Sequence, residues 1–333
     1  MCLSKEKYFN WTFQYFRILM LAYVFFQHFQ LFYDHPLVSF LSGGGIAVSF
    51  FYILSGYLMA GNKSYFETPS YSAFLKLLWK KKHGYIFMYE IMLVLSVAYC
   101  LLAMKFTGEL SISDILRSWF LDAVFLSGFT DSQSIISNAG WYFTVMTPIW
   151  VFSPFFYRIS CSGDRRIRLL LALAVALLIW NIHSPLTGYY SFIPRAVEFT
   201  IGMMIRNGFD FNAASKIKMS FASISELFCI VLITPFVFQR SGIAGNSFLY
   251  SLINGLTISI FHFQRGAVSS ILSENSVVRT LSRYTFTFYL FHYLILKYLS
   301  LSPLFQNPFL QILIVFICTW AIDTIRRKIP LLS

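Results

Sequence analysis

The sequence predicts an all-α integral membrane protein of about ten transmembrane helices with both termini in the cytoplasm. Of its 333 residues, 57% are hydrophobic and 12% are charged, and the mean hydropathy is +0.64. A soluble domain carries about 25% charged residues, so a chain this apolar cannot cover a water-facing surface. Because no hydrophilic stretch is long enough for a second folded unit, residues 1–333 are predicted to form a single transmembrane domain among membrane lipids.

Runs of apolar residues define the predicted spans. A helix needs about 20 mostly apolar residues to cross the hydrocarbon core of a bilayer. Ten candidates follow in chain order: 12–33, 46–61, 84–104, 141–160, 168–183, 188–206, 220–238, 247–263, 283–300 and 308–325. The first run is too long for a secretory signal peptide, and no small-residue cleavage site follows it.

Lysine and arginine concentrate on one side of these spans. If the N-terminus is cytoplasmic, all but six of the 26 basic residues lie on the inner side, the six being Arg17, Lys105, Arg117, Arg195, Arg240 and Lys297. Cytoplasmic loops of membrane proteins carry such an excess. The net charge of +12 therefore indicates topology, and nucleic acid is not an expected partner.

The stretch 105–140 is the longest predicted outer segment. Its semi-apolar part, 115–129, is interrupted by Arg117 and Asp122. An eleventh span here would place every later basic cluster outside, against the positive-inside pattern. We interpret this part as an interfacial or re-entrant element over the outer mouth.

Two motifs of soluble enzymes and the cysteine spacings of metal sites are missing from the sequence. The five cysteines lie far apart without metal-ligand spacing, so we predict neither a disulfide framework nor a metal site. No phosphate-binding Gly-rich loop occurs, and Ser55 lacks the preceding glycine of a nucleophile elbow.

Ionisable residues inside the predicted spans are the candidates for function, because each is costly at membrane depth. Arg17 and His28 are eleven residues apart on the first span, about three turns and 20° of rotation, so they share one face about 16 Å apart along the axis. Alternatively, Arg17 snorkels to the inner headgroups while His28 lies near the outer interface.

Three further candidates each have a structural alternative. Glu198 and Arg195 in the sixth span are placed to pair on one helix face, either structurally or in function. His292 lies near the middle of the ninth span, where a lone histidine is more often a hydrogen-bonded core residue. The cluster 80–82 is a topology determinant or binds an anionic cytosolic ligand, since lysine is a common partner of phosphate.

Five segments occur in a characteristic order: Arg17 with His28, Ser49 to Leu58 ending in Ser-Gly-Tyr-Leu, Trp141 with Pro154, Glu198 to Gly202 in the form E-F-x-x-G, and Tyr289 to His292 in the form Y-L-x-H. Together with the basic segment from Lys76 to Lys82, they resemble the motifs of the membrane acyltransferase-3 family, bacterial enzymes of the O-antigen O-acetyltransferase type. The sequence departs from the family where Met146 replaces a glutamate. It also lacks the proline that usually follows the basic segment.

The resemblance implies a multi-pass protein of the bacterial inner membrane that transfers acetyl from cytosolic acetyl-CoA to a lipid-linked or surface polysaccharide sugar, with no cofactor beyond that donor. In this interpretation His28 and Arg17 are catalytic, with His28 acting as general base or acyl carrier. The donor would be bound by Lys76, Lys80, Lys81 and Lys82. The cavity would be lined by Ser55, Gly56, Tyr57, Trp141, Glu198 and His292.

Two other functions fit a polytopic chain with intramembrane charges. A transporter or flippase of lipid-linked glycan would use such charges equally well, but those folds often contain inverted repeats, and the sequence shows no convincing repeat. An O-antigen polymerase is also polytopic and aromatic-rich. The ordered segments favour the acyltransferase over both.

Overall fold

A computed structural model describes residues 10–107, 111–130, 136, 139–161, 190–208, 217–237 and 247–329. The described residues form helices and connecting turns without a β-strand. The helices are α1 (Trp11–Phe29), α2 (Pro36–Phe40), α3 (Gly44–Gly61), α4 (Tyr71–Thr107), α5 (Ile112–Ala123), α6 (Trp141–Cys161), α7 (Phe192–Gly208), α8 (Met219–Val237), α9 (Ser247–Phe261), α10 (Ala267–Ile271), α11 (Ser276–Ser300) and α12 (Pro308–Lys328).

The all-helical membrane character expected from the sequence is confirmed. Three helical segments are long and apolar enough to cross a membrane, namely Pro36–Gly61, Tyr71–Lys105 and Pro308–Lys328, and Met219–Thr234 and Leu249–Phe261 are shorter apolar helices. Nine of the ten candidate spans coincide with a described helix, whereas candidate 168–183 lies outside the described residues. Helices α1 and α11 are less apolar because their inward faces carry ionisable and hydroxyl side chains.

The basic segment from Lys76 to Lys82 is helical, although it lies outside the predicted span 84–104. Helix α4 begins at Tyr71, where the Ser70 hydroxyl accepts a hydrogen bond from the Ala73 amide, and it continues for 37 residues. No proline interrupts it, so the helix continues through the lysines into the apolar part. A 37-residue helix is about 55 Å long, far more than the roughly 30 Å hydrocarbon core, so part of it must project beyond the lipid.

The described part of the predicted outer segment contains the short helix α5. The Ser111 side chain caps its first turn by accepting from the Asp114 amide. Twelve residues extend about 18 Å, which is too short to cross a bilayer. Ile115 is buried against the bundle, whereas Leu116 and Phe120 are exposed. The helix therefore has one face on the protein and one face toward its surroundings.

Helix α3 packs against α1, α7 and α9. Its closest neighbour is α7, and two glycines explain the approach. A Cβ atom on Gly56 would lie 1.8 Å from the Phe199 carbonyl oxygen, and one on Gly202 would lie 1.9 Å from the Ile53 carbonyl oxygen. Small residues at such a crossing let two backbones meet, which is how membrane helices gain packing energy without a hydrophobic driving force between them.

Helix α11 is held between α1 and α12. Asp323 on α12 is fully buried, accepts a hydrogen bond from the Thr287 hydroxyl at 2.7 Å, and forms ion pairs with Arg326 and Arg327. This pairing compensates the buried carboxylate and fixes α12 against α11. The outer face of α12 exposes Leu313, Phe316 and Trp320, as expected for a helix that faces lipid.

Candidate functional site

Two histidines meet where α1 and α11 pack together. The Nδ1 atom of His28, in the last turn of α1, lies 2.8 Å from the Nε2 atom of His292. The two rings are 5.1 Å apart and nearly parallel. Phe288 stacks on His292, and Phe25 meets the His292 ring in an edge-on contact. Apolar rings therefore hold the pair in place.

The hydrogen-bond network determines which ring nitrogens carry protons. His292 Nδ1 lies 3.0 Å from the carbonyl oxygen of Phe288 and 2.8 Å from that of Tyr289. A carbonyl oxygen only accepts, so Nδ1 of His292 is the protonated nitrogen and its Nε2 is an acceptor. The N–H of His28 Nδ1 must then donate to His292, which leaves the lone pair on Nε2 of His28. His28 is thereby fixed in the tautomer that a general base or nucleophile requires.

His28 lies in the wall of an open cavity of about 210 Å³. The lining combines amide and aromatic side chains, which is the composition that suits a sugar because amides hydrogen-bond hydroxyl groups and aromatic rings cover apolar ring faces. The lining residues are Val24, Gln27, His28, Gln30, Leu31, Gly44, Val48, Trp141, Tyr190, Tyr289 and Tyr293. Of the side chains expected to line a cavity, the structure places Trp141 in this wall and His292 directly behind His28.

Arg17 lies on the same side of α1 as His28. Its guanidinium donates to the Gln14 side chain at 3.0 Å and to the Thr285 hydroxyl at 2.9 Å. Thr285 and His292 are both on α11, seven residues apart, which is about two turns. The face that Arg17 and His28 share therefore faces α11 and not lipid.

The segment Ser55-Gly56-Tyr57 places three residues in three environments. Ser55 Oγ lies 3.2 Å from the Tyr142 hydroxyl, and the Tyr142 ring packs at 5.3 Å on Tyr289 of the cavity wall. Gly56 forms the α3–α7 crossing. The Tyr57 hydroxyl accepts from Arg206 at 3.2 Å and lies 2.8 Å from Nδ1 of His262, in a cluster separate from the histidine pair.

Glu198 is part of a buried ion pair. Its carboxylate accepts from Arg195 at 2.7 Å and from the Ser251 hydroxyl at 2.8 Å, and both charged side chains are buried. The Arg195 guanidinium lies 5.6 Å from the ring centroid of Trp141, which borders the cavity. Glu198 thus connects to the cavity through Arg195 and Trp141, without lining it.

The lysines point in different directions because successive residues on a helix are about 100° apart. Lys82 faces the bundle, with Nζ 4.4 Å from the Trp150 ring centroid and 5.3 Å from that of Tyr85. Lys81 donates to the Ser64 hydroxyl and covers the Tyr65 ring. Lys76 and Lys80 are exposed. Of this cluster, Lys82 is placed closest to the bundle interior.

Several residues of this region were not singled out from the sequence. Gln27 and Tyr293 line the cavity, Tyr142 and Thr285 contact proposed site residues, and Arg206 joins the cluster around Tyr57. Gln27 and Tyr293 are the sequence neighbours of the two histidines, so the motifs that contain the histidines could have predicted them. Thr285 and Tyr142 depend on how distant helices pack. Among the described residues, no group of His, Cys, Asp and Glu is arranged to hold a metal ion.

A family model described as an acyltransferase domain matches residues 10–322. The chain belongs to the membrane acyltransferase-3 family. The resemblance of the ordered segments is thereby confirmed, and the protein is a membrane acyltransferase. Comparisons with curated proteins and with solved structures found no match. The histidine pair, Arg17 and the lysines of α4 all lie in the matched region of this acyltransferase-3 protein.

Proposed function

We propose that this acyltransferase-3 protein transfers acetyl from cytosolic acetyl-CoA to a hydroxyl group of a cell-surface polysaccharide sugar of the O-antigen type, in the bacterial inner membrane. One observation carries the proposal: the tautomer of His28 is set by His292, and His28 borders a cavity with an amide and aromatic lining. Family membership favours an enzyme over a transporter or flippase.

The chemistry assigned to His28 uses its Nε2 lone pair. As a general base, this nitrogen takes the proton of the sugar hydroxyl while the hydroxyl oxygen bonds to the acetyl carbonyl carbon. The carbon–sulfur bond of the thioester then breaks, and the proton passes from Nε2 to the departing thiolate. The His28 Nδ1–H bond to His292 stays intact throughout, so the ring keeps its orientation.

The same nitrogen would also serve a two-step route. In that route Nε2 attacks the thioester carbon, the carbon–sulfur bond breaks, and coenzyme A leaves as the thiolate, which takes a proton from water. The sugar hydroxyl oxygen later attacks the acetyl carbon, the bond from that carbon to Nε2 breaks, and the hydroxyl proton passes to water. Only this route leaves acetyl bound to the protein when no acceptor is present. A rapid-quench experiment with labelled acetyl-CoA distinguishes it from the general-base route.

Arg17 and Lys82 supply positive charge along the route proposed for the donor. Tyr85 lies on the path between them, since Lys82 Nζ is 5.3 Å from the Tyr85 ring centroid. The same ring packs on Phe286, which follows Thr285, the residue that accepts from Arg17. In this proposal, Lys82 binds the anionic part of coenzyme A, and Arg17 lies between it and His28. Lys76, Lys80 and Lys81 add to the local positive potential that attracts the donor.

The test uses inside-out membrane vesicles with radiolabelled acetyl-CoA and endogenous glycan. The wild-type protein is expected to label the glycan, and His28→Ala to abolish labelling at unchanged protein level. His35→Ala is the matched control, because His35 is an exposed histidine that contacts neither member of the pair. Full labelling by His28→Ala would contradict the assignment, and no labelling by the wild type with any acyl-CoA would contradict the proposed function.

A further inference from the structure

A cationic side chain, Lys297, contacts the cavity-lining residue Tyr293. Lys297 is on α11, five residues after His292, and its Nζ atom lies 5.0 Å from the Tyr293 ring centroid and 5.3 Å from that of Tyr99. The side chain is half-buried. Within the described part of the chain, it forms no ion pair, because the carboxylates of the described ion pairs are Glu198, Glu274 and Asp323.

The distance between Lys297 and the His28 ring is bounded by their shared contact with Tyr293. The Tyr293 ring centroid lies 4.8 Å from that of His28 and 5.0 Å from Lys297 Nζ, so the ammonium group is at most about 10 Å from the imidazole centroid. Tyr293 itself lines the cavity. One sugar residue with a charged substituent is large enough to contact both groups.

Lys297 lies in the last turn of α11, but its contacts differ from those of a lysine that only anchors a helix end. An anchoring lysine extends its ammonium group to water or to lipid headgroups. Here two tyrosine rings from different helices, α4 and α11, hold the ammonium group, and one of them, Tyr293, lines the cavity. Cation–π contact compensates part of the desolvation but leaves the full charge to attract an anion.

We propose that Lys297 binds an anionic group of the acceptor, a phosphate or a carboxylate, while the hydroxyl to be acylated lies at His28. The proposal rests on the proposed function, because it describes the acceptor of that reaction. Lysine suits this role, since its ammonium group is a compact point charge that accepts either anion without a fixed geometry. Lys297 would then act in choosing the acceptor and not in the chemical step.

The experiment compares three soluble probes with the purified protein in nanodiscs: methyl glucoside, methyl glucuronide and glucose 1-phosphate. The measured quantity is the ratio of kcat/KM for each anionic probe to that for methyl glucoside, with labelled acetyl-CoA as donor. We expect this ratio to fall about tenfold in Lys297→Gln for at least one anionic probe. In Lys297→Arg the ratio should keep its wild-type value. Which anion responds distinguishes a phosphate source from a carboxylate source.

Lys105→Gln is the matched control, because Lys105 is an exposed lysine near the end of α4 and has the same charge. It should leave the ratio unchanged. Equal ratios for the wild type and Lys297→Gln, or an equal loss in Lys105→Gln, would overturn the proposal while acyl transfer itself still supports the proposed function.

A binding measurement separates the two hypotheses completely. Equilibrium dialysis of radiolabelled glucose 1-phosphate and methyl glucuronide against the same nanodiscs requires no acyl transfer. Weaker binding of either probe to Lys297→Gln supports the anion site even if no probe is acylated, and that outcome counts against the proposed function alone. Identical binding of both probes to the wild type and Lys297→Gln overturns the anion site.

Discussion

The imidazole of His292 is fully buried, and its hydrogen bonds determine which ring nitrogen of His28 carries the proton. Because backbone carbonyl groups accept from Nδ1, the opposite nitrogen has no proton to offer and His28 must donate to it. A histidine with a buried and oriented partner keeps one tautomer, whereas a histidine in water exchanges between two. His292 is therefore a positioning residue that acts through His28.

His292→Ala is predicted to lower kcat for acyl transfer by about 100-fold with little change in the donor KM, because the substitution removes orientation and not donor binding. His292→Gln keeps a side-chain acceptor for His28 Nδ1–H and is expected to recover part of the loss. Steady-state kinetics in nanodiscs measures both values. If His292→Ala retained wild-type kcat, the hydrogen-bond relay would have no catalytic role.

At the scale of helices, two glycines determine how closely α3 and α7 cross. Gly56 and Gly202 allow backbone contact between the two helices, which carry Ser55 and Glu198. A methyl group at Gly56 would overlap a carbonyl oxygen of α7, and backbone atoms cannot move aside as a flexible side chain would.

Gly56→Ala is predicted to lower the thermal midpoint by about 3 °C or more and to reduce acyl transfer, because the two helices must separate to accept the methyl group. Gly208→Ala is the control in α7, since no atom lies within 4 Å of its new Cβ position. Circular dichroism during heating in detergent measures the midpoint. Equal midpoints for the two variants would show that the crossing tolerates a side chain.

The direction of each lysine on α4 also yields a prediction. Lys82→Gln is expected to raise the donor KM about tenfold, because Lys82 faces the bundle and its charge is directed at the proposed donor route. Lys80→Gln should raise it less, since Lys80 is exposed on the same helix. Competition by desulfo-CoA gives a measure of affinity for the coenzyme A part of the donor that does not depend on the KM. Equal effects of the two variants would mean that the lysines only attract the donor by their total charge or only determine the topology.

For the whole molecule, the distribution of charge determines how the protein lies in the membrane. Basic residues are predicted to remain on the cytoplasmic side, because moving each charge across the bilayer would cost several kcal/mol. The exposed apolar faces of α8 and α12 have lipid as their partner. The count of ten spans and the cytoplasmic termini remain predictions.

We predict that a fluorescent protein fused at the C-terminus fluoresces, because such a protein matures in the cytoplasm and not beyond the inner membrane. A single cysteine at Ser42 should react with a membrane-impermeant maleimide from outside, whereas one at Lys80 should not. The background for both is a chain in which the native cysteines are replaced by serine. The opposite labelling pattern would invert the topology.

The sequence by itself determined the membrane environment, the helical class, the family and the helix face that Arg17 and His28 share. These features follow from composition, helical periodicity and the order of short segments, none of which depends on contacts between distant residues. Helix α4 is longer than the apolar run that predicted it. An apolar run marks only the part of a helix that lies in lipid, whereas the helix itself continues until a capping residue or a proline ends it.

Only the tertiary structure decided what each candidate contacts. The pairing of His28 with His292 joins residues 264 positions apart, and the position of Lys297 beside the cavity depends on how α4 and α11 pack. Glu198 and Tyr57, which were predicted to line the cavity, lie instead in polar clusters of their own. Such contacts arise from helix packing, in which small residues and directional hydrogen bonds select one arrangement among many of similar hydrophobicity.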